Sequence, residues 1–281
     1  MSFEQIFKER NPQYEFLISR MRCAFDVKEV KFEDINSMNL RKFRIYMDGE
    51  VSNNSFRTYA AVIKATIKSM YNDGLIDNIG CLSELKVKST PSENVICTEE
   101  EIARMDAYFD QLIKQPGHKV EKDCLCLFLI ENVTGARTSD CINLSTKNIR
   151  DGKLTYISQK TKQKSVMPVH TKLLKYLKYK PSKDYGRASK ARIIKEVAKK
   201  CGINQKVKIF YRGKWRNWPK YKYLSTHSGR RDFASHLALH GAPLSEICQF
   251  MNHKGNINQT IRYIIPDLNH VSEESLSFFN K

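Results

Sequence analysis

The sequence predicts a mainly α-helical protein in two domains, the second carrying a small antiparallel β-sheet in an α+β arrangement. Three observations predict it. Apolar residues recur at helical spacing on both sides of residue 90. Lys86 to Asn94 has no periodicity and is rich in turn formers. Alternation replaces the helical period only between about Asn148 and Val169. With 281 residues, 41% of them hydrophobic, the chain is long enough to bury one large core or two ordinary ones.

The first domain is set at residues 1–90 and reads as all-helical. Tyr14, Leu17, Ile18, Met21 and Phe25 share one helical face, and Phe56, Tyr59, Ile63, Ile67 and Met70 share another. Gly74 stops the second of these helices. Arg57, Lys64 and Lys68 fall on its other faces, where they can meet phosphates or simply be solvated. Residues 91–97 form the linker and residues 98–281 the second domain.

Thr98-Glu99-Glu100-Glu101 is a capping box that opens a helix whose buried stripe is Ile102, Met105, Phe109, Leu112 and Ile113. A second helix, about Asp123 to Thr134, is almost wholly apolar, ends at Gly135, and belongs at the centre of the core. Asp151-Gly152 within Asn148 to Ile157 is a tight-hairpin signal, and Lys164 to Val169 supplies a further strand across the turn Lys160-Thr161-Lys162-Gln163. Beyond Pro181 comes another helix, with Ile193, Ile194, Val197 and Ala198 before Gly202. A basic aromatic stretch, Val207 to Tyr223, leads to a helix from Arg231 to Leu239.

Lysine and arginine total 48 against 30 acidic residues, a formal charge of +18 that calls for an anionic polymer as partner. No apolar run reaches the roughly 20 residues of a membrane span, and Met1-Ser2-Phe3-Glu4-Gln5 lacks a signal-peptide core. Nucleic acid is therefore the expected partner, with no membrane. The eight cysteines contain no C-x-x-C pair and mostly sit in apolar stretches, as small buried hydrophobes in a reducing cytosol do. No metal-ligand cluster and no cofactor motif are present, so neither is expected.

Three polar segments lie against apolar helices: Thr134-Gly135-Ala136-Arg137-Thr138-Ser139-Asp140, Thr226-His227-Ser228-Gly229-Arg230-Arg231, and Asn252-His253 leading to Arg262-Tyr263. An arginine fixed just after a helix stop needs an anion, which Asp140 or a bound phosphate can supply equally well. Thr138 or Ser139 can cap the helix that follows. His227 and Arg230, three apart at a helix start, can point together at the positive end of its dipole.

In these segments the chain resembles the tyrosine recombinases, or phage integrases. That family carries an arginine after a T-G turn, a lysine on a hairpin, H-x-x-R, a further histidine and then a tyrosine. The first arginine falls on Arg137, with Asp140 where the family commonly has glutamate. The lysine falls on Lys160, with Lys162 and Lys164 as competitors. H-x-x-R falls on His227 and Arg230, the later histidine on His253, and the tyrosine on Tyr263. Two departures stand out: Asn252 occupies the glycine position of the usual leucine-glycine-histidine, and Tyr263 follows His253 by ten residues rather than nine. The likeness is close over about residues 98–265. The amino-terminal part resembles the core-binding, SAM-like domain only in size, pattern and position.

The resemblance implies a two-domain clamp on double-stranded DNA recombination sites. It cuts and rejoins strands through a 3′-phosphotyrosine at Tyr263, without metal or ATP. Arg137 and Arg230 would hold the phosphate, His227 act as base, Lys160 protonate the leaving oxygen, and His253 donate to the phosphate. Arg57, Lys64, Lys68, Lys162 and Arg231 are candidate DNA contacts. Partners implied are a tetramer on DNA and a directionality factor, in the cytoplasm of a bacterial, phage or mobile-element host. Leu268, Val271, Phe278 and Phe279 offer apolar contacts, to a neighbour or to their own domain. Two rival readings are a type IB topoisomerase and an inactive DNA-binding protein of the same fold.

Overall fold

The computed structural model describes residues 2–90, 93–211, 214–253 and 255–265. It divides into two compact units, Met1–Glu93 with Phe210–Trp215, and Asn94–Ile209 with Arg216–Lys281. The apolar tail positions Leu268, Val271, Phe278 and Phe279 lie outside the described residues.

The first unit contains α1 (Phe3–Arg10), α2 (Phe16–Phe25), α3 (Ser37–Met47) and α4 (Asn53–Asn72), closed by a 3-10 turn at Gly80–Leu85. Its core joins Phe3 and Phe7 to Leu17, Met21, Leu40, Phe43, Phe56, Ile63, Ile67 and Met70. Tyr14 belongs to a 3-10 turn, Pro12–Tyr14, rather than to α2, because Pro12 fixes the chain ahead of the helix. The Ser52 hydroxyl caps α4 by accepting from the Ser55 amide at 3.2 Å. Past the far end, Gly74 takes φ +70° while the Leu75 amide reaches back to the Met70 carbonyl at 2.9 Å. Arg57 and Lys68 are exposed on α4 and Lys64 is half-buried between them. Burial, then the charges of Lys86 and Lys68, push the Lys64 ammonium below its usual range.

The second unit is built around α6 (Lys119–Thr134), which is buried from Lys122 onward. Packed on it are α5 (Glu99–Ile113), the short α7 (Thr138–Cys141), α8 (Leu173–Tyr179), α9 (Arg187–Lys200) and α10 (Ser228–Leu239). The Thr98 capping box forms on α5 as the sequence predicts, with Thr98 N donating to Glu101 Oε2 at 2.9 Å. A meander of β1 (Ile149–Arg150), β2 (Lys153–Ile157) and β3 (Lys164–Pro168) runs antiparallel throughout, with Leu154 opposite Met167. Asp151 and Gly152 sit at φ +49° and +70°, as a tight hairpin between twisted strands requires.

Besides Tyr14, five expectations change, the first being that Ile113, placed in the buried stripe of α5, is 37% exposed in its last turn. α6 begins a turn earlier than Asp123, at Lys119, and α10 begins at Ser228 rather than Arg231. Val207 to Tyr223 is largely a second hairpin, β4 (Lys206–Tyr211) with β5 (Lys214–Pro219). Its lysine-rich alternation hides a strand period that packing reveals. Thr138 and Ser139 do not cap α7. Arg137 is the N-cap residue without a side-chain cap, and the Thr138 hydroxyl donates instead to Glu131.

Two short helices complete this unit, α11 (Leu244–Phe250) and α12 (Ile257–Ile261). No helix among the described residues is long and apolar enough to cross a membrane.

Candidate active site

Two glycines bring the polar segments together. Gly135 ends α6 at φ +60°, and a Cβ there would lie 2.3 Å from Phe233 Cδ1. Gly229 lets α10 approach α6 so closely that a Cβ would fall 2.7 Å from the Phe128 carbonyl oxygen. Arg230, the next residue, is driven into the interface and is 1% exposed.

Its guanidinium is held from several sides. Nη1 donates to the Gly135 carbonyl and Nη2 to the Met251 carbonyl. Nη2 also lies 3.0 Å from His253 Nε2. Because Arg230 can only donate, His253 Nε2 accepts, and the ring proton sits on Nδ1. Nδ1 then donates to Thr260 Oγ1 at 3.0 Å, and Thr260 passes its own proton to the Asn256 carbonyl at 3.3 Å. Arg230 Nε has no hydrogen-bond partner among the described residues. Burial, then the neighbouring charge of Arg137, lowers the guanidinium from its usual range, while Tyr263 favours the charged form.

Tyr263 covers this arginine. Its ring centroid is 5.4 Å from Arg230 Cζ and 5.1 Å from the His253 ring, tilted by 43°. The ten-residue step from His253 is absorbed by α12 and the turn after it, where the Tyr263 amide donates to the Thr260 carbonyl at 2.8 Å. Ser235 of α10 clips the segment from both sides. Its hydroxyl donates to the Tyr263 carbonyl at 3.3 Å and accepts from the Ile265 amide at 2.9 Å.

Arg137 reaches the meander rather than Asp140. Its Nη1 donates to Ser158 Oγ at 3.2 Å, and Ser158 donates onward to Asp140 Oδ2 at 3.0 Å. Asp140 also accepts from the Gln159 amide at 2.8 Å, so it anchors the base of the hairpin turn that follows. Among the described residues Arg137 forms no ion pair. Lys160 stands at that turn, exposed and without a hydrogen bond or ion pair among the described residues. Lys162 is exposed in the same turn at φ +55°.

His227 precedes α10 as its N-cap residue, and its ring has no hydrogen-bond partner among the described residues. Burial, then Arg231, Arg187, Arg230 and Lys190, lowers its pKa to about 4. Burial, then Arg230 and Arg137, does the same to His253, also to about 4. Both imidazoles are therefore neutral at neutral pH. The Arg231 side chain donates to Ser225 Oγ at 3.4 Å.

Asn252 takes φ +58°, in the left-handed region. Asparagine tolerates that region better than other residues with a Cβ, so it keeps the backbone turn that glycine provides. Its Nδ2 also donates to the Gln163 carbonyl of the hairpin turn at 3.4 Å.

Sequence reasoning missed Ser158, Thr260, Asp232 and Glu131. Asp232 is fully buried, accepts from the Cys97 amide at 3.1 Å, and is pushed well above the usual carboxyl range by burial. Glu131 had a signal, as an acid within the apolar run of α6; Ser158 and Thr260 had none.

The phage integrase family profile matches residues 97–270, and that of the phage integrase SAM-like domain matches residues 10–81. Lambda integrase, solved as a dimer bound to a COC′ core site, superposes with a TM-score of 0.67 at 14% identity, over 95% of this chain and 92% of that one. The Tn1549 transposon integrase, solved with a circular intermediate DNA, gives a TM-score of 0.62 at 14% identity, over 100% of this chain and 99% of the other. No curated protein sequence matches the chain. At these identities the structures establish the fold, while the profile spans well over half of the sequence. The chain belongs to the phage integrase family, the tyrosine site-specific recombinases.

Proposed function

We propose that this protein cuts and rejoins double-stranded DNA at specific sites through a covalent bond between Tyr263 and a 3′ phosphate. The observation that carries the reading is the stacking of Tyr263 over a buried arginine, 5.4 Å from ring centroid to Cζ, with His253 against both. A buried guanidinium with an unpartnered Nε, beside a second arginine, is suited to an anion.

In the reaction Tyr263 Oη attacks phosphorus, the bond to the 5′ oxygen breaks, and that oxygen leaves with a proton. Charge grows on the non-bridging oxygens, where Arg137 and Arg230 can neutralise it by paired N–H donors. A phenol, with an ordinary pKa of about 10, needs its proton removed. His227 suits that task because burial among cations keeps it neutral. Lys160, on an exposed turn anchored through Ser158 and Asp140, can reach DNA and protonate the leaving oxygen. His253 Nε2 is engaged by Arg230, so its first task is to orient that arginine rather than to donate to the phosphate. The phosphotyrosine conserves the bond energy, and reversal by a 5′ hydroxyl rejoins a strand.

Lambda integrase and the Tn1549 integrase were solved on DNA, which supports double-stranded DNA as partner here. Arg57, Lys64, Lys68, Lys162 and Arg231 remain the candidate contacts, and a tetramer on paired sites the working assembly. Incubation with a suicide DNA substrate followed by denaturation tests the reading. A protein–DNA adduct is expected from wild type and none from Tyr263→Phe. Bound DNA without an adduct would refute it, and site-independent plasmid relaxation would favour topoisomerase-like chemistry.

A further inference from the structure

Glu131 is an anomaly that the reaction above does not use. It lies within α6 at 2% exposure, in a helix otherwise chosen for the core. Its Oε1 accepts from the Thr138 hydroxyl, one residue after Arg137. Its Cβ is 3.1 Å from where a Cβ of Gly229 would be, one residue before Arg230. Oε2 has no partner. A single side chain therefore bonds to the Arg137 segment and lies close against the Arg230 segment.

We propose that Glu131 is a positioning residue for the phosphate pocket, bridging the Arg137 and Arg230 segments and balancing their charge when no phosphate is bound. The inference rests on the recombinase reading. The charged groups facing Glu131 are Lys190 of α9, Arg230 of α10 and Asp184 ahead of α9, and the thiol of Cys141 on α7 is also close enough to feel its charge. Lys190 is itself paired with Asp184 at 3.5 Å, so it offsets the carboxylate only in part. Burial wins over these cations and raises the Glu131 pKa to about 7.

The consequence is a charge that switches near neutral pH. A phosphate settling between Arg137 and Arg230 brings negative charge toward Glu131, which disfavours the carboxylate and favours proton uptake. Loading the pocket is then easier with Glu131 neutral, so phosphate capture weakens as pH rises through about 7. The histidines do not interfere, because both lose their proton near pH 4.

The test compares single-turnover adduct formation on a suicide DNA substrate between pH 6 and pH 8.5 for wild type, Glu131→Gln and Thr138→Val. Glutamine keeps an oxygen for Thr138 but cannot ionise. Its rate should exceed that of wild type increasingly with pH, so that the wild-type to variant ratio falls about tenfold between pH 6 and pH 8. Thr138→Val removes the bridge and keeps the acid, and should slow the adduct about tenfold at pH 6 with unchanged DNA affinity. A constant ratio of wild type to Glu131→Gln overturns the charge role, and a wild-type rate for Thr138→Val overturns the bridge. Wild type giving no adduct at any pH is a different failure, that of the recombinase reading itself, and takes this inference with it.

Discussion

His253 Nε2 accepts from Arg230 Nη2 at 3.0 Å, which fixes the tautomer of the histidine and the plane of the guanidinium together. Replacing His253 by Ala removes one of the three partners that fix the Arg230 guanidinium, leaving the Gly135 and Met251 carbonyls to hold it without the ring that sets its plane. Adduct formation on suicide DNA should fall about 10²- to 10³-fold, the usual loss for one misplaced donor to a developing oxyanion. His253→Gln, which keeps an acceptor, should recover part of it. A wild-type rate for the Ala variant would refute the arrangement.

Burial lowers four histidines, His170, His227, His236 and His253, and the two at the site have a measurable signature. An ordinary histidine titrates near 6.5, whereas His227 and His253 hold off until about 4. Between those values the unfolded chain takes up protons that the folded chain refuses. Their contribution to stability is therefore complete above about pH 6.5 and lost as pH falls toward 4. Proton NMR of the imidazole Cε1–H signals should show two rings that do not titrate between pH 8 and pH 5. Midpoints near 6.5 for both would contradict the burial.

Gly229→Ala tests the helix approach. Its new Cβ would meet the Phe128 carbonyl at 2.7 Å, and backbone cannot move aside as a side chain does. The expected cost is about 1–3 kcal/mol in thermal or denaturant unfolding, and a further loss of adduct because Arg230 moves with α10. An unchanged melting temperature would show that the helices are not so close.

At Asn252 the direction reverses. Glycine suits φ +58° at least as well as asparagine, so Asn252→Gly should change stability by less than about 1 kcal/mol. Asn252→Val should cost about 1–3 kcal/mol, since a β-branched side chain is poorly accommodated there. Equal unfolding midpoints for the two variants would exclude strain as the reason for asparagine.

Lys160→Ala separates chemistry from folding. Lys160 is exposed and contacts nothing among the described residues, so its melting temperature should be that of wild type. If it protonates the leaving oxygen, adduct formation should drop about 10²- to 10⁴-fold. Lys162→Ala and Lys164→Ala should lose less, through weaker DNA binding with a shallower salt dependence, so that the gap to wild type narrows as salt rises.

Much of the site was legible because polar residues interrupt apolar helices at Arg137, His227 and Arg230, and such interruptions need a reason. The glycine stops at Gly74 and Gly135 and the hairpin at Asp151-Gly152 were legible because each needs a backbone that few residues adopt. The partners of the site were not. Ser158 is one serine among many until the meander folds it under Arg137, and Thr260 matters only once α12 turns back on His253. The β4–β5 hairpin was obscured because its alternation mixes aromatics with lysines. The helix start at Ser228 was missed because packing on α6 overrides weak local signals, and the start at Lys119 because the exposed first turn of α6 carries no apolar periodicity and no side-chain cap.

Ser235 joins the main chain just after the Tyr263 side chain to α10 through one hydroxyl group, which bonds the Tyr263 carbonyl and the Ile265 amide. Two hydrogen bonds of this kind are worth only about 1–3 kcal/mol together, far less than the core beneath them. Tyr263 and Ile264 add apolar contact with the cluster of Ala234, Ile247 and Met251, whereas the arginine bed is fixed by the close approach of α10 to α6, so the phenol and the bed beneath it are held by separate and unequal sets of contacts.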